Sequence, residues 1–220
     1  MRAVPNVPTP VPYPSALEAD IINIGTASAI RDFGDLSACY PKTVSMGNAS
    51  RVKKLVLGNN TPGYANNGFT TLTTGANPLL EELNVENVTS LTQSLDLREL
   101  INLKRLYAFG TNTTAALFAE GGKLEYAELP AINSIILKNL NKLSSSNFKL
   151  ASYNNVVGIF IDNCPLIDKV DLLNKCVNLK RVRLTNVDFG EVTYDYFKTK
   201  LFNLEGYSAD GEETSDAWIT

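Results

Sequence analysis

The spacing of apolar residues constrains this chain more than any other feature. Val52-Lys-Lys-Leu55-Val-Leu57, Leu80-Glu-Glu-Leu83-Asn-Val85, Leu103-Lys-Arg-Leu106-Tyr-Ala108 and Leu179-Lys-Arg-Val182-Arg-Leu184 share the pattern L-x-x-L-x-L. A short strand explains it, because successive side chains alternate between core and solvent. A unit this small must stack on copies of itself to bury its apolar face. The middle apolar residue of each unit falls into one of two interleaved series. The first is Leu55, Leu83, Leu106, Ala127, Phe148 and Val170; the second is Leu72, Leu95, Leu117, Ile135, Ile159 and Val182. Steps within a series run from 18 to 28 residues. Each coil then has two short strands, one per series, and stacked coils build two parallel sheets.

L-x-x-L-x-L is the strand signature of a leucine-rich repeat. The predicted fold is therefore mainly β: a right-handed parallel β-solenoid of leucine-rich-repeat type, with about six coils and few short helices. Charges support this phase independently of the leucines. Outward positions of the first series read Lys53/Lys54, Glu81/Glu82, Lys104/Arg105, Glu125/Glu128 and Lys149, so the sign alternates from coil to coil. Asparagine follows the strand at Asn59, Asn87, Asn139, Asn163 and Asn186, where it can satisfy turn backbone groups. The first two belong to one series and the last three to the other. Either the asparagine ladder changes side, or the coil around residues 110–132 is irregular; Gly121-Gly122 and Pro130 favour irregularity.

Composition removes whole classes of chemistry. The chain has no histidine, which excludes the commonest general base and metal ligand. No phosphate loop, zinc spacing or nucleophile elbow occurs. Glu81 with Glu82, or Glu125 with Glu128, could be read as carboxylate pairs, but the charge ladder accounts for them. No catalytic residue, metal or cofactor is expected. Net charge is -3 with no long run of either sign, so no nucleic-acid partner is expected despite the small cluster Lys180, Arg181, Arg183. Cys164 and Cys176 read as buried solenoid positions, with a bridge between them as the lesser reading. No apolar run reaches membrane-spanning length, and the N-terminus lacks a signal-peptide core. The chain is expected to be cytosolic when made, or a piece of something longer, with no membrane insertion.

Five segments follow. Residues 1–20, with Pro5, Pro8, Pro10, Pro12 and Pro14, read as an extended linker or arm. Residues 21–50 read as an N-terminal cap, 51–190 as the solenoid, 191–210 as a C-terminal cap, and 211–220 as the start of a following segment. Pro165–Asn174 is predicted to form a short helical turn, and Thr193–Phe202 a capping helix, on the spacing of Tyr194, Phe197 and Leu201.

Gly34-Asp35-Leu36-Ser37, Leu57-Gly58-Asn59-Asn60-Thr61-Pro62-Gly63-Tyr64, Leu106-Tyr107-Ala108-Phe109-Gly110-Thr111 and Asn178-Leu179-Lys180-Arg181-Val182-Arg183-Leu184 carry a resemblance. From Gly34 to Asp210 the chain resembles leucine-rich-repeat segments of large structural proteins of tailed phages, especially gut phages. Bacterial cell-surface leucine-rich-repeat adhesins are the nearest competitor. The resemblance implies a non-enzymatic component of a virion tail, baseplate or fibre. Its implied partners are other virion proteins or other segments of the same protein. In the alternative, a phage or bacterial surface adhesin binds a host receptor or glycan.

Two surfaces are candidates for contact. In the second series Phe118, Ile136 and Phe160 each follow the middle apolar residue of their unit, so alternation should point them outward in one column. Ala116 and Val157 lie beside them, and Asp96 and Arg183 would form a polar rim. A register slip near Pro130 would instead turn part of the column inward. An outward apolar column on a soluble protein marks a protein contact. The second surface is Tyr107 and Tyr126, outward on adjacent first-series coils, where a glycan could bind.

Overall fold

The computed structural model describes residues 52–58 and 69–186 in full, 43–45 with their side chains, and the strand backbones at 21–23, 32–35, 206–209 and 212–213. The proline-rich arm, Cys39, Asn59, the turn at 60–64 and the predicted helix at 193–202 lie outside these residues.

The chain is mainly β, with parallel strands stacked as a solenoid of about five turns. Along one side the first-series strands form a six-stranded sheet. Its members are β2 (Asp32–Asp35), β4 (Lys54–Val56), β6 (Glu82–Asn84), β8 (Arg105–Tyr107), β10 (Tyr126–Leu129) and β12 (Phe148–Leu150). Leu55, Leu83, Leu106, Ala127 and Phe148 are register partners from strand to strand, as the apolar spacing predicts. Each is at most 3% exposed. Full burial of a leucine contributes about 1.5–3 kcal/mol, so each coil supplies part of a core that its neighbour completes.

The sixth first-series position differs. Val170 lies in the one α-helix among the described residues, α1 (Lys169–Lys175). Ile167, Val170 and Leu173 suit a helical face as well as a strand. Asp168 settles the local choice, because its carboxylate caps the helix by accepting from the Asp171 N–H at 2.9 Å. The predicted short helical turn at Pro165–Asn174 therefore forms in place of a sixth first-series strand there.

The second series splits into three sheets. β1 (Ile21–Asn23), β3 (Thr43–Ser45) and β5 (Thr71–Thr73) form the first, and β7 (Leu95–Leu97) with β9 (Ala116–Phe118) the second. β11 (Ser134–Lys138), β13 (Gly158–Asp162), β14 (Arg181–Thr185), β15 (Gly206–Ala209) and β16 (Glu212–Glu213) form the third. All pairs are parallel except β15 with β16, which are antiparallel. Strand pairing thus extends into the segments 21–50 and 191–210 that were expected to act as caps.

Both series turn their corners in the same way. Asn87, Asn139, Asn163 and Asn186 have φ between 47° and 60°, and Gly110 and Gly121 have φ of 74° and 67°. Asparagine and glycine tolerate this left-handed conformation best. The asparagine ladder therefore occupies both sides, with glycine at the equivalent positions between. Asn163 Nδ2 donates to Asn139 Oδ1 at 2.8 Å, and Asn186 Nδ2 donates to Asp162 Oδ1 at 2.8 Å. A second set of amides ties coils through the backbone: Asn178 Nδ2 donates to the Asn154 carbonyl at 2.9 Å, and Asn112 Nδ2 to the Thr89 carbonyl at 2.6 Å. Gly58 is required by close approach, since a Cβ there would lie 2.2 Å from the Glu86 backbone nitrogen.

Candidate functional site

The outward face of the six-stranded sheet carries the charge ladder. Lys54 pairs with Glu82 at 2.8 Å and Arg105 with Glu82 at 3.6 Å. Lys53 and Lys104 flank Glu81 at 3.9 and 2.8 Å, and Lys149 reaches Glu128 at 3.1 Å. Glu125 departs from the strict ladder by pairing with Lys142 at 3.4 Å. The hydrogen bond from Lys104, with its charge, holds the Glu81 carboxyl below the usual range. These carboxylates are committed to cross-coil ion pairs.

Tyr107 and Tyr126 come together at the C-terminal end of this ladder. Their ring centroids are 5.3 Å apart and tilted by 43°. Tyr126 is itself clamped: its hydroxyl donates to Glu128, Lys149 Nζ donates to that hydroxyl at 2.9 Å, and the Lys149 ammonium lies 4.9 Å from the ring centroid. Burial, followed by the bond to Glu128, pushes the Tyr126 phenol up. Burial also raises Tyr107, with Glu82 adding to the effect. The pair offers one aromatic edge bordered by charge.

The second-series face corrects the predicted column. Ile136 and Phe160 are register partners on β11 and β13, both half-buried, and Arg183 on β14 continues their row. Val157 is 40% exposed just before β13. Phe118 and Ala116 do not join them. Ala116 pairs with Leu95 and is 2% exposed, while Phe118, half-buried like Ile136 and Phe160, pairs with Leu97 and packs one side against the core. The coil holding β9 is offset by one residue, and a one-residue slip moves every side chain of a strand to the other face. Leu117, paired with the exposed Asp96, takes the outward position. Two backbone bonds join this coil to the next, from the Asn133 N–H to the Thr114 carbonyl and from the Gly121 N–H to the Lys138 carbonyl.

Phe160 has two cationic neighbours. Lys138 Nζ lies 5.0 Å and the Arg183 guanidinium carbon 5.2 Å from its ring centroid. Such contacts contribute about 0.5–1 kcal/mol at exposed sites and hold the cations in place.

Between β5 and β7, which do not pair, a groove of about 580 Å³ opens, lined by Thr73, Thr74, Gln93, Ser94, Asp96 and Arg98. Asp96 and Arg98 form a two-bond ion pair at 2.6 and 2.9 Å, which lowers the aspartate and raises the arginine. The gap is spanned by Thr74, whose hydroxyl donates to the Asp96 carbonyl at 3.1 Å.

Cys164 and Cys176 are buried free thiols, and burial pushes Cys176 up to about 12. Among the described residues no group of three or more metal-ligating side chains occurs, and no helix is long and apolar enough to cross a membrane. No family model, curated protein or solved structure matches the chain.

Proposed function

We propose that this chain is a non-enzymatic, protein-binding structural module of a phage virion, built as a right-handed solenoid of leucine-rich-repeat type. The observation that supports it best is the outward row Ile136–Phe160, with Val157 beside it, on the face of the β11–β16 sheet. Apolar side chains held outward by strand register suit a contact with a neighbouring protein. The quoted sequence resemblance adds the virion setting, in a tail, baseplate or fibre. Tyr107 and Tyr126, 5.3 Å apart, favour a second reading, in which the chain is an adhesin and this edge meets a host receptor or glycan.

Immunogold electron microscopy with an antibody against the chain separates the two settings. Label on phage tails or baseplates is the expected result. Label on intact bacterial surfaces without particles would overturn the virion reading and favour an adhesin.

A further inference from the structure

The face of β11, β13 and β14 has a composition unlike the rest of the chain. Its centre is apolar: Ile136, Phe160 and the exposed Val157. Around that centre stand four exposed cations, Lys138, Lys180, Arg181 and Arg183. On β11, β13 and β14 the outward acidic residue is Asp162, half-buried and bonded by the Asn186 amide; the row of Arg183 runs on through Ser208 to Glu213 at the edge of the sheet. The whole chain carries 23 acidic against 20 basic residues, so this face is a local reversal of sign. The six-stranded sheet differs in composition, since the charges on its outward face alternate in sign from strand to strand.

We infer that the outward face of β11, β13 and β14 docks an acidic protein segment that carries an aromatic or branched aliphatic anchor. This rests on reading the chain as a protein-binding module and names the partner's chemistry. Charge complementarity selects the occupant. A ring of cations steers acidic side chains toward the surface, while the apolar centre rewards an anchor that excludes water. Lys138 and Arg183 lie against the Phe160 ring, so two of the cations are positioned before any partner arrives. A protein segment fits better than nucleic acid. The apolar centre includes Ile136 and Val157, which offer no ring for base stacking, and the net charge of -3 opposes a phosphate backbone beyond the patch.

The test is fluorescence anisotropy of a labelled short acidic peptide, one tryptophan flanked by aspartate and glutamate, titrated with the full chain. Saturable binding is expected. Arg181→Glu with Arg183→Glu should weaken it about tenfold or more, as should replacing the peptide's tryptophan with serine. Both arginines are exposed, so circular dichroism should show the variant folded; Phe160→Ser provides a second, charge-neutral variant that should also weaken binding. No saturable binding, or equal binding by wild type and both variants, overturns the inference. So does equal affinity for a single-stranded oligonucleotide of the same charge, which would assign the face to nucleic acid. A chain that immunogold labelling places on tails but that fails to bind the peptide would lose this inference while keeping the virion reading.

Discussion

At the scale of single residues, the left-handed asparagines carry a cost that other side chains would raise. Asn163 sits at φ 47° and its amide bonds Asn139. Asn163→Gly keeps the backbone relaxed and loses the amide bond, whereas Asn163→Ala loses the bond and adds left-handed strain of about 1–2 kcal/mol. Chemical denaturation should therefore rank wild type above the glycine variant and the glycine variant above alanine. The thiols give a second residue-level expectation. Burial raises both Cys164 and Cys176, so neither presents the reactive thiolate near neutral pH. Mass spectrometry after iodoacetamide treatment at pH 8 should find both unmodified in the folded chain and both modified in denaturant. Glu81 sets a pH dependence of known sign. Its folded pKa is depressed below 4.5 by Lys104, so its contribution is present above the unfolded value and is lost as pH falls through the folded one. Because the Glu81 side chain is 39% exposed, Lys104→Met should flatten the acid limb of a melting-temperature profile only slightly.

At the scale of elements, legibility followed charge. The six-stranded register could be read from sequence because two independent patterns, leucines and alternating charges, agreed on it, and the ion pairs from Lys54 to Arg105 lie where that phase puts them. Around β9 only apolar and small residues occur, Ala115-Ala116-Leu117-Phe118-Ala119, so nothing distinguished one phase from the next. Taking Leu117 as the inward residue reversed Ala116 and Phe118. Val170 satisfied two patterns at once, since spacings of three residues suit a helix and a sparse strand alike, and the short helix predicted at Pro165–Asn174 is the one that forms. The turn asparagines were legible as residues, while the coil-bridging amides of Asn112 and Asn178 have no local signal. Phe118 and Phe160 convert this into a measurement. Phe118 packs on the core beside Leu97, whereas Phe160 faces outward between Lys138 and Arg183. Phe118→Ala should cost about 2 kcal/mol and Phe160→Ala about 1 kcal/mol or less, read from urea unfolding. The reverse order would restore the original phase of β9.

At the scale of the whole molecule, the account is a linear stack in which each turn is held by the ones beside it. Buried leucines supply the attraction, the asparagine and glycine corners set the bend, and the charge ladder penalises a slipped register. Glu82→Lys would place three cations side by side on β4, β6 and β8, and should lower the melting temperature more than Glu82→Gln does. The Ile136–Phe160 face and the Tyr107–Tyr126 edge lie on different sheets of this stack. Spin-label distances test the stack most directly. Labels at the exposed Lys54, Arg105 and Lys149 lie two strands apart in each consecutive pair and four strands apart from first to last. With about 4.8 Å per strand, and Lys149 two residues further along its strand at about 3.3 Å each, the account predicts roughly 10 Å for Lys54 to Arg105, roughly 12 Å for Arg105 to Lys149 and roughly 20 Å for Lys54 to Lys149, after replacement of the native cysteines. A Lys54–Lys149 separation no larger than the other two would contradict a linear stack.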